Sequence, residues 1–159
     1  MDLGIALIGI FCLAVCIIPF VITSKNRKTA EKKIVVALHN LAQKNNCNIN
    51  QSEICGNYAI GIDENKRTLF FVLKNETKLT EQFIDLAKIK KCEQINQSRE
   101  NPNKTKTIEK LYLKLISIDK NKPAIVLDFY DEEINYQFNG EIDSIYKWHQ
   151  LISNLLIHK

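Results

Sequence analysis

The side chains best suited to metal binding or catalysis are three histidines and five cysteines, and they are scattered along the chain. None of His39, His149 and His158 has a histidine, cysteine or acidic partner at the spacing that zinc sites use. No two cysteines form a CxxC pair, and the chain contains no glycine-rich phosphate loop, nucleophile elbow or HExxH motif. We therefore expect no catalytic residue, metal, cofactor or small-molecule substrate, and we expect His149 to be a structural or surface residue.

An acidic cluster, Asp128, Asp131, Glu132 and Glu133, lies between two predicted strands. Carboxylate oxygens are the ligands that hard cations prefer, so the cluster could bind a cation or a basic partner. A run of charges at a turn is more often simply solvated, and the sequence favours that interpretation.

The longest apolar run, Leu3 to Thr23, contains no charged side chain. As a helix it would rise about 31 Å, which matches a hydrocarbon core of about 30 Å. Thirteen of its residues are Leu, Ile, Phe or Val. On an insertion scale, these residues favour the bilayer by about 4–8 kcal/mol. The run predicts a transmembrane anchor over residues 1–24.

Three other interpretations of this run fit less well. A cleaved signal peptide would need a basic region first, where only Met1 and Asp2 stand. The segment Leu13-Ala14-Val15-Cys16 resembles a lipoprotein lipobox, but Val15 is bulky and the apolar run continues past Cys16. A buried core helix would be unusually long and apolar on every side.

A basic flank follows the anchor, with five bases and the single acid Glu31 between residues 24 and 33. Positive charge is retained on the cytoplasmic side. We therefore predict a single-pass protein of the inner (plasma) membrane, with its N-terminus outside and its C-terminal domain in the cytoplasm. Anionic headgroups would contact this flank. The predicted membrane-surface residues are Lys25, Arg27, Lys28, Lys32 and Lys33.

Two further inferences come from the rest of the composition. From Ile34 onward, seventeen bases nearly balance sixteen acids, so nothing indicates a nucleic-acid partner. Within the anchor, Gly9, Cys12 and Cys16 share one helix face at small-residue spacing. That face could pack against another membrane helix, or it could simply face lipid.

After the anchor, the sequence predicts a basic juxtamembrane segment and helix over residues 25–50 and then an α+β domain over residues 51–159. The pattern from Thr29 to about Asn45 is helical, because Ile34, Leu38, Leu41 and Ala42 recur at helical spacing, and the pair Asn45-Asn46 is expected to end the helix. A final helix from about Glu141 to Ile157 has an apolar stripe made of Ile142, Ile145, Trp148, Ile152 and Leu155. The strands predicted between the two helices are Ile54–Ile62, Arg67–Lys74, Glu81–Asp85, Lys90–Ser98, Ile108–Asp119, Ala124–Tyr130 and one near Ile134–Phe138.

This order of seven short strands and one amphipathic helix resembles the pleckstrin-homology-like (PH-like) superfold, including its bacterial versions. Trp148 lies midway along the last helix, where such domains usually bury a tryptophan. The hairpin from Tyr58 to Val72, followed by Ile84 to Cys92, is similar to bacterial PH-like sequences. The resemblance implies a partly open seven-stranded barrel or sandwich, capped by the C-terminal helix. The whole chain also resembles small single-pass bacterial membrane proteins.

The resemblance implies a binding function. Many PH domains bind inositol phosphates through bases in the first hairpin loop, but here two acids offset the two bases of the predicted loop, Asp63 to Arg67. Other domains of this superfold bind peptides or proteins. The resemblance therefore implies a non-enzymatic, membrane-tethered adaptor for a protein or peptide partner at the cytoplasmic face. Two alternatives stay open: an anionic-lipid-binding module, and a small subunit of a membrane complex assembled through its transmembrane helix.

The predicted topology can be tested by protease protection. Protease added to intact spheroplasts should spare the C-terminal domain, because the membrane would separate the two. The measurement is an immunoblot for a C-terminal epitope, and detergent lysis before digestion is the control that shows the site is cleavable. Digestion in intact spheroplasts would contradict the predicted placement.

Overall fold

The computed structural model describes residue 29 and residues 31–75, 78–100, 106–135 and 138–157. The chain divides into two compact units, Met1–Lys33 and Ile34–Lys159. In the first unit the described residues, 29 and 31–33, are helical.

The predicted anchor, residues 1–24, lies outside the described residues, and so do its proposed packing residues Gly9, Cys12 and Cys16. Within the ranges that the structure covers, no helix is both long enough and apolar enough to cross a membrane. The anchor and its orientation therefore stay predictions.

The second unit has an α+β architecture, with two antiparallel sheets and a C-terminal helix. Helix α1 covers residues 31–44, of which residues 34–44 belong to this unit. The first sheet has the order β1-β2-β3-β4 and the second β5-β6-β7. A short 3-10 helix, Leu86–Lys88, joins the sheets. The strands are β1 (Gln51–Cys55), β2 (Tyr58–Asp63), β3 (Thr68–Asn75), β4 (Lys78–Asp85), β5 (Ile89–Glu100), β6 (Lys106–Ser117) and β7 (Ile125–Asp131), and helix α2 is Glu141–Ile157.

Strands β2 and β3 are buried on both faces of the first sheet. Because successive side chains of a strand point to opposite faces, a run that is apolar at nearly every position requires cover on both sides. One face belongs to the core shared with the second sheet and α2, and the other to a smaller cluster with α1. The inward set is Tyr58, Ile60, Ile62, Leu69, Phe71 and Leu73, and the outward set includes Ala59, Phe70 and Val72.

Helix α1 covers the outer face of the first sheet at close range. Its buried residues follow helical spacing and are Ile34, Ala37, Leu38 and Ala42. A Cβ placed on Gly61 of β2 would lie 3.2 Å from Leu38 Cδ2 and 3.1 Å from Ile49 Cγ2. The absence of a side chain at this glycine therefore lets the helix approach the strand.

Helix α1 ends where the paired asparagines predicted it would. Asn46 takes the left-handed conformation (φ 54°), and its N–H donates to the Gln43 carbonyl at 3.0 Å. The Cys47 N–H donates to the Ala42 carbonyl at 2.9 Å. These two bonds form a Schellman cap, which satisfies carbonyls that the helix leaves unpaired.

The first predicted strand, Ile54–Ile62, is wrong as a single strand. Gly56 and Asn57 form a two-residue turn between β1 and β2, and Cys55 pairs with Tyr58 across it. Gly56 has φ +55°, a conformation that glycine reaches without strain. The first hairpin loop is therefore Gly56–Asn57, which carries no base, and the loop from Asp63 to Arg67 belongs to the second hairpin.

The last predicted strand, near Ile134–Phe138, is also wrong. Residues 132–134 form a turn, and the described residues 135 and 138 are not in a strand. The turn follows from Asp131, whose carboxylate accepts from the Glu133 N–H at 3.0 Å. The described residues form seven strands, which is the number predicted, because these two errors cancel.

Helix α2 has the predicted bounds but a slightly different buried face. Ile145, Trp148 and Ile152 are buried as expected, whereas Ile142 is 47% exposed. Glu141 and Ser144 are buried instead. Ser144 accepts from Tyr58 of β2, whereas Glu141 lies beside Gly56 of the turn between β1 and β2 and accepts from the Asn139 N–H through Oε2.

Gly61 provides a test of the contact between α1 and the first sheet. Gly61→Val should destabilise the chain by about 1–3 kcal/mol, because the new side chain overpacks this contact. The measurement is urea unfolding of the detergent-solubilised full chain, followed by the emission of its one tryptophan, Trp148. In a Leu38→Ala background the added cost of Gly61→Val should fall, since that variant removes one of the clashing atoms. An equal cost in both backgrounds would contradict the packing described here.

Candidate functional site

Glu53 of β1 connects the edge of the first sheet to helix α2. Its Oε2 accepts from Lys147 Nζ at 2.6 Å and from Trp148 Nε1 at 3.2 Å. Ser144 also hydrogen-bonds to this carboxylate. Because all three partners lie on one side of α2, the carboxylate fixes both the position and the rotation of the helix.

The environment of Glu53 keeps the carboxylate ionised. Burial by itself raises the pKa of Glu53, but the hydrogen bonds from Lys147 and Ser144 and the positive charge of Lys147 outweigh it. The net result is a pKa below the ordinary value of 4.5. A charged acceptor forms shorter and stronger hydrogen bonds than a neutral one, which strengthens the link to the helix.

Two further contacts hold α2 against the first sheet. The buried Tyr58 hydroxyl donates to Ser144 Oγ at 2.7 Å. At the other end of the helix, the Arg67 guanidinium donates to the Leu155 carbonyl. A cation at a helix C-terminus is favourable because the last carbonyls carry a partial negative charge.

Between these contacts, a surface groove of about 450 Å³ runs along α2. We call it the α2 groove. Its partly buried apolar residues are Leu151 and Leu155, and amide and phenol groups stand around them. Gln150 Nε2 donates to the Tyr146 hydroxyl at 2.7 Å, and Gln51 Nε2 donates to Glu64 Oε1 at 2.6 Å. The lining residues are Gln51, Glu64, Tyr146, Lys147, Gln150, Leu151, Asn154 and Leu155.

Two residues of the predicted acidic cluster, Asp131 and Glu132, are paired with bases. Lys110 Nζ lies 2.8 Å from Asp131 Oδ2, and Arg99 lies 3.3 Å from Glu109 and 3.9 Å from Glu132. In the part of the chain that the structure describes, no three His, Cys, Asp or Glu side chains are grouped so as to hold a metal ion. Asp128 and Asp131 lie in strand β7, and only Glu132 and Glu133 lie in the turn after it. The interpretation of the cluster as a solvated turn stays a prediction.

The other predicted residues lie apart from one another. His149 is half-buried, and its Nε2 lies 3.3 Å from the Cys92 carbonyl, which fits the structural role expected for it. Cys47, Cys55 and Cys92 are buried, and no two of these three described cysteines are joined by a disulfide. Burial raises the pKa of the Cys92 thiol to about 12, which keeps it protonated and a poor nucleophile. His39 is exposed on α1, whereas His158 lies outside the described residues.

Of the predicted membrane-surface bases, Lys32 and Lys33 are described, and both are exposed on α1. Lys25, Arg27 and Lys28 lie outside the described residues. Headgroup contact by this flank stays a prediction.

Comparisons with known proteins give no relative for this arrangement. No family model matches the chain, and neither a curated protein nor a solved structure matches it.

Sequence reasoning missed the residues of the α2 groove and the role of Glu53. Glu53 and Lys147 are 94 residues apart, and nothing in the local pattern joins them. One local signal existed, since Gln150 and Asn154 are four residues apart and so share a face of the predicted helix.

The Glu53 contacts predict a defined pH dependence of stability. Because its pKa is lowered on folding, the stability that Glu53 contributes is present above pH 4.5 and is lost as the pH falls through the folded value. Glu53→Gln should therefore cost about 1–2 kcal/mol at pH 7, and the difference from wild type should shrink as the pH falls below 4.5. The measurement is the free energy of unfolding between pH 3 and pH 7.

The matched variant Lys147→Gln tests the cause of this effect. It should cost less than Glu53→Gln, because the donors on Ser144 and Trp148 remain, and the double variant should cost less than the two single costs added together. A gap between wild type and Glu53→Gln that stays constant from pH 7 to pH 3 would show that the carboxylate is not the link.

Proposed function

We propose that this chain is a non-enzymatic, membrane-tethered adaptor of the PH-like type, which binds an extended peptide segment of a partner protein in the α2 groove. The arrangement of four strands, three strands and a terminal helix with a buried Trp148 supports the PH-like assignment. The observation that carries the binding proposal is the α2 groove itself.

The chemistry of the α2 groove suits a peptide. A peptide alternates apolar side chains with amide groups that must keep their hydrogen bonds. Leu151 and Leu155 offer apolar surface, while the carboxamides of Gln51, Gln150 and Asn154 can both donate and accept. The volume, about 450 Å³, falls within the range of small-ligand sites, about 300–1,000 Å³.

The charge of the α2 groove points to an uncharged or weakly charged segment. Lys147 is already paired with Glu53, whereas Glu64 accepts from the neutral carboxamide of Gln51 and keeps its charge. Among the described residues that line the groove, one negative charge therefore has no ion-pair partner, which disfavours an acidic segment but is too little to attract a strongly basic one. Binding should therefore depend only weakly on salt concentration, which separates this proposal from electrostatic capture.

The predicted anchor would place this peptide binding at the membrane. A tether keeps the groove at the membrane surface, so a partner held by even a modest groove is concentrated there. The basic flank would contribute a generic attraction to anionic headgroups.

A selection experiment tests the proposal. Random peptides displayed on phage are selected against the full chain in nanodiscs, and the Kd of the enriched sequences is measured by fluorescence polarisation. The double variant Gln150→Ala with Asn154→Ala should weaken binding by about 5- to 100-fold, the loss expected for two hydrogen bonds. N-methylation of the peptide backbone should also weaken it, because the carboxamides would lose their partners.

The matched control is Gln94→Ala with Asn121→Ala, which removes the same two residue types from exposed positions outside the α2 groove. It should leave the Kd unchanged. Equal losses in both double variants, or no enriched peptide, would count against the α2 groove as a peptide site.

A further inference from the structure

A second, chemically different cavity lies where the two sheets come apart. Strands β4 and β7 are each the last strand of their sheet. The Gln82 side chain reaches from β4 to the Val126 carbonyl of β7 at 3.3 Å. Beside this bridge lies a cavity of about 420 Å³, which we call the corner pocket. It is lined by the end of β4, the start of β5 and the loop before β7.

The interior of the corner pocket is apolar. Phe83, Ile84, Ile89, Pro123 and Ile125 line it. Phe83 is 46% exposed although it is a large aromatic residue. Exposed apolar surface of this kind is unfavourable in water, so a ligand that covers it gains binding free energy.

The rim of the corner pocket is basic. Lys88 is paired with Asp85 at 3.1 Å, and the same carboxylate accepts from the Ala87 N–H at 3.0 Å. These two contacts occupy the carboxylate of Asp85, the acid in the pocket lining. Among the described residues Lys122 forms no ion pair, so its ammonium group remains available to an anion. The lining therefore combines an apolar interior with one uncompensated positive charge.

We propose that the corner pocket binds a free medium-chain fatty acid. The acyl chain would lie on Phe83, Pro123 and Ile125, and the carboxylate would pair with Lys122. The apolar lining favours the chain, and the net positive rim selects a carboxylate over an uncharged alcohol of the same length. No residue of this pocket lines the α2 groove, so the proposal is independent of peptide binding.

Photolabelling of the full chain tests this proposal. Dodecanoic acid that carries a diazirine on its chain is added to the protein in nanodiscs and irradiated, and the labelled residues are mapped by mass spectrometry. Label is expected on the end of β4 and on residues 117–125. Competition by unlabelled acids should improve about fourfold per added methylene until the pocket is filled.

Two variants and their matched controls make the result specific. Phe83→Asp places a negative charge in the pocket and should reduce labelling there at least tenfold, whereas Leu79→Asp, on the same face of β4 and 37% exposed, should not. Lys122→Gln should reduce labelling about three- to tenfold, whereas Lys106→Gln, at the start of β6, should not. Trp148 emission confirms that each variant is folded.

Three outcomes would overturn the proposal. The first is labelling confined to residues 3–23 or spread evenly over the chain, which would indicate partition into the bilayer only. The second is equal labelling by a diazirine dodecanol, which would exclude recognition of the carboxylate. The third is equal competition by a phospholipid of the nanodisc, which would assign the pocket to a membrane lipid.

Discussion

The first sheet needs cover on both faces, and the rest of the structure follows from that need. Strands β2 and β3 are apolar at nearly every position, and leaving either face in water would cost about 25 cal/mol for each Å² exposed. The second sheet and α2 cover the inner face, and α1 covers the outer one. Gly61 sets how closely α1 can approach.

Both proposed binding sites lie beside the edge strands of the first sheet. The α2 groove begins beside β1, and the corner pocket begins beside β4, the two edge strands of the first sheet. Polar contacts hold α2 on the β1 side, through Glu53, Tyr58 and Arg67, so the groove there is lined by polar groups. On the β4 side the Gln82 side chain joins β4 to β7 beside the pocket, and apolar residues such as Phe83 stay exposed. The two sites therefore suit different ligands.

Much of the fold could be predicted because its signals are local. The spacing of Ile34, Leu38 and Ala42 predicted α1, and the Asn45-Asn46 pair predicted its end. The bounds of α2 also agreed with its apolar stripe. The errors came from turns. The pattern from Ile54 to Ile62 predicts one continuous strand, whereas the structure has a turn at Gly56. A Gly-Asn pair between two apolar runs is a recognised hairpin signal, so this turn could have been predicted.

The sites could not be predicted because their parts are distant in sequence. The corner pocket takes residues from β4, β5 and the segment from Ser117 to Ile125, and no local pattern joins them. The α2 groove needs Gln51 and Glu64 to approach a helix that begins at Glu141. Only the pairing of the strands and the docking of α2 bring these residues together.

We infer that the doubly covered strands are the most stable part of the second unit. Native-state amide hydrogen exchange, measured by NMR on the full chain, reports the opening free energy of each backbone amide and so compares the strands residue by residue. We expect the slowest exchange in β2 and β3, including Ala59, Phe70 and Val72 on the face beneath α1. Fast exchange there, with the slowest amides in the second sheet instead, would contradict it.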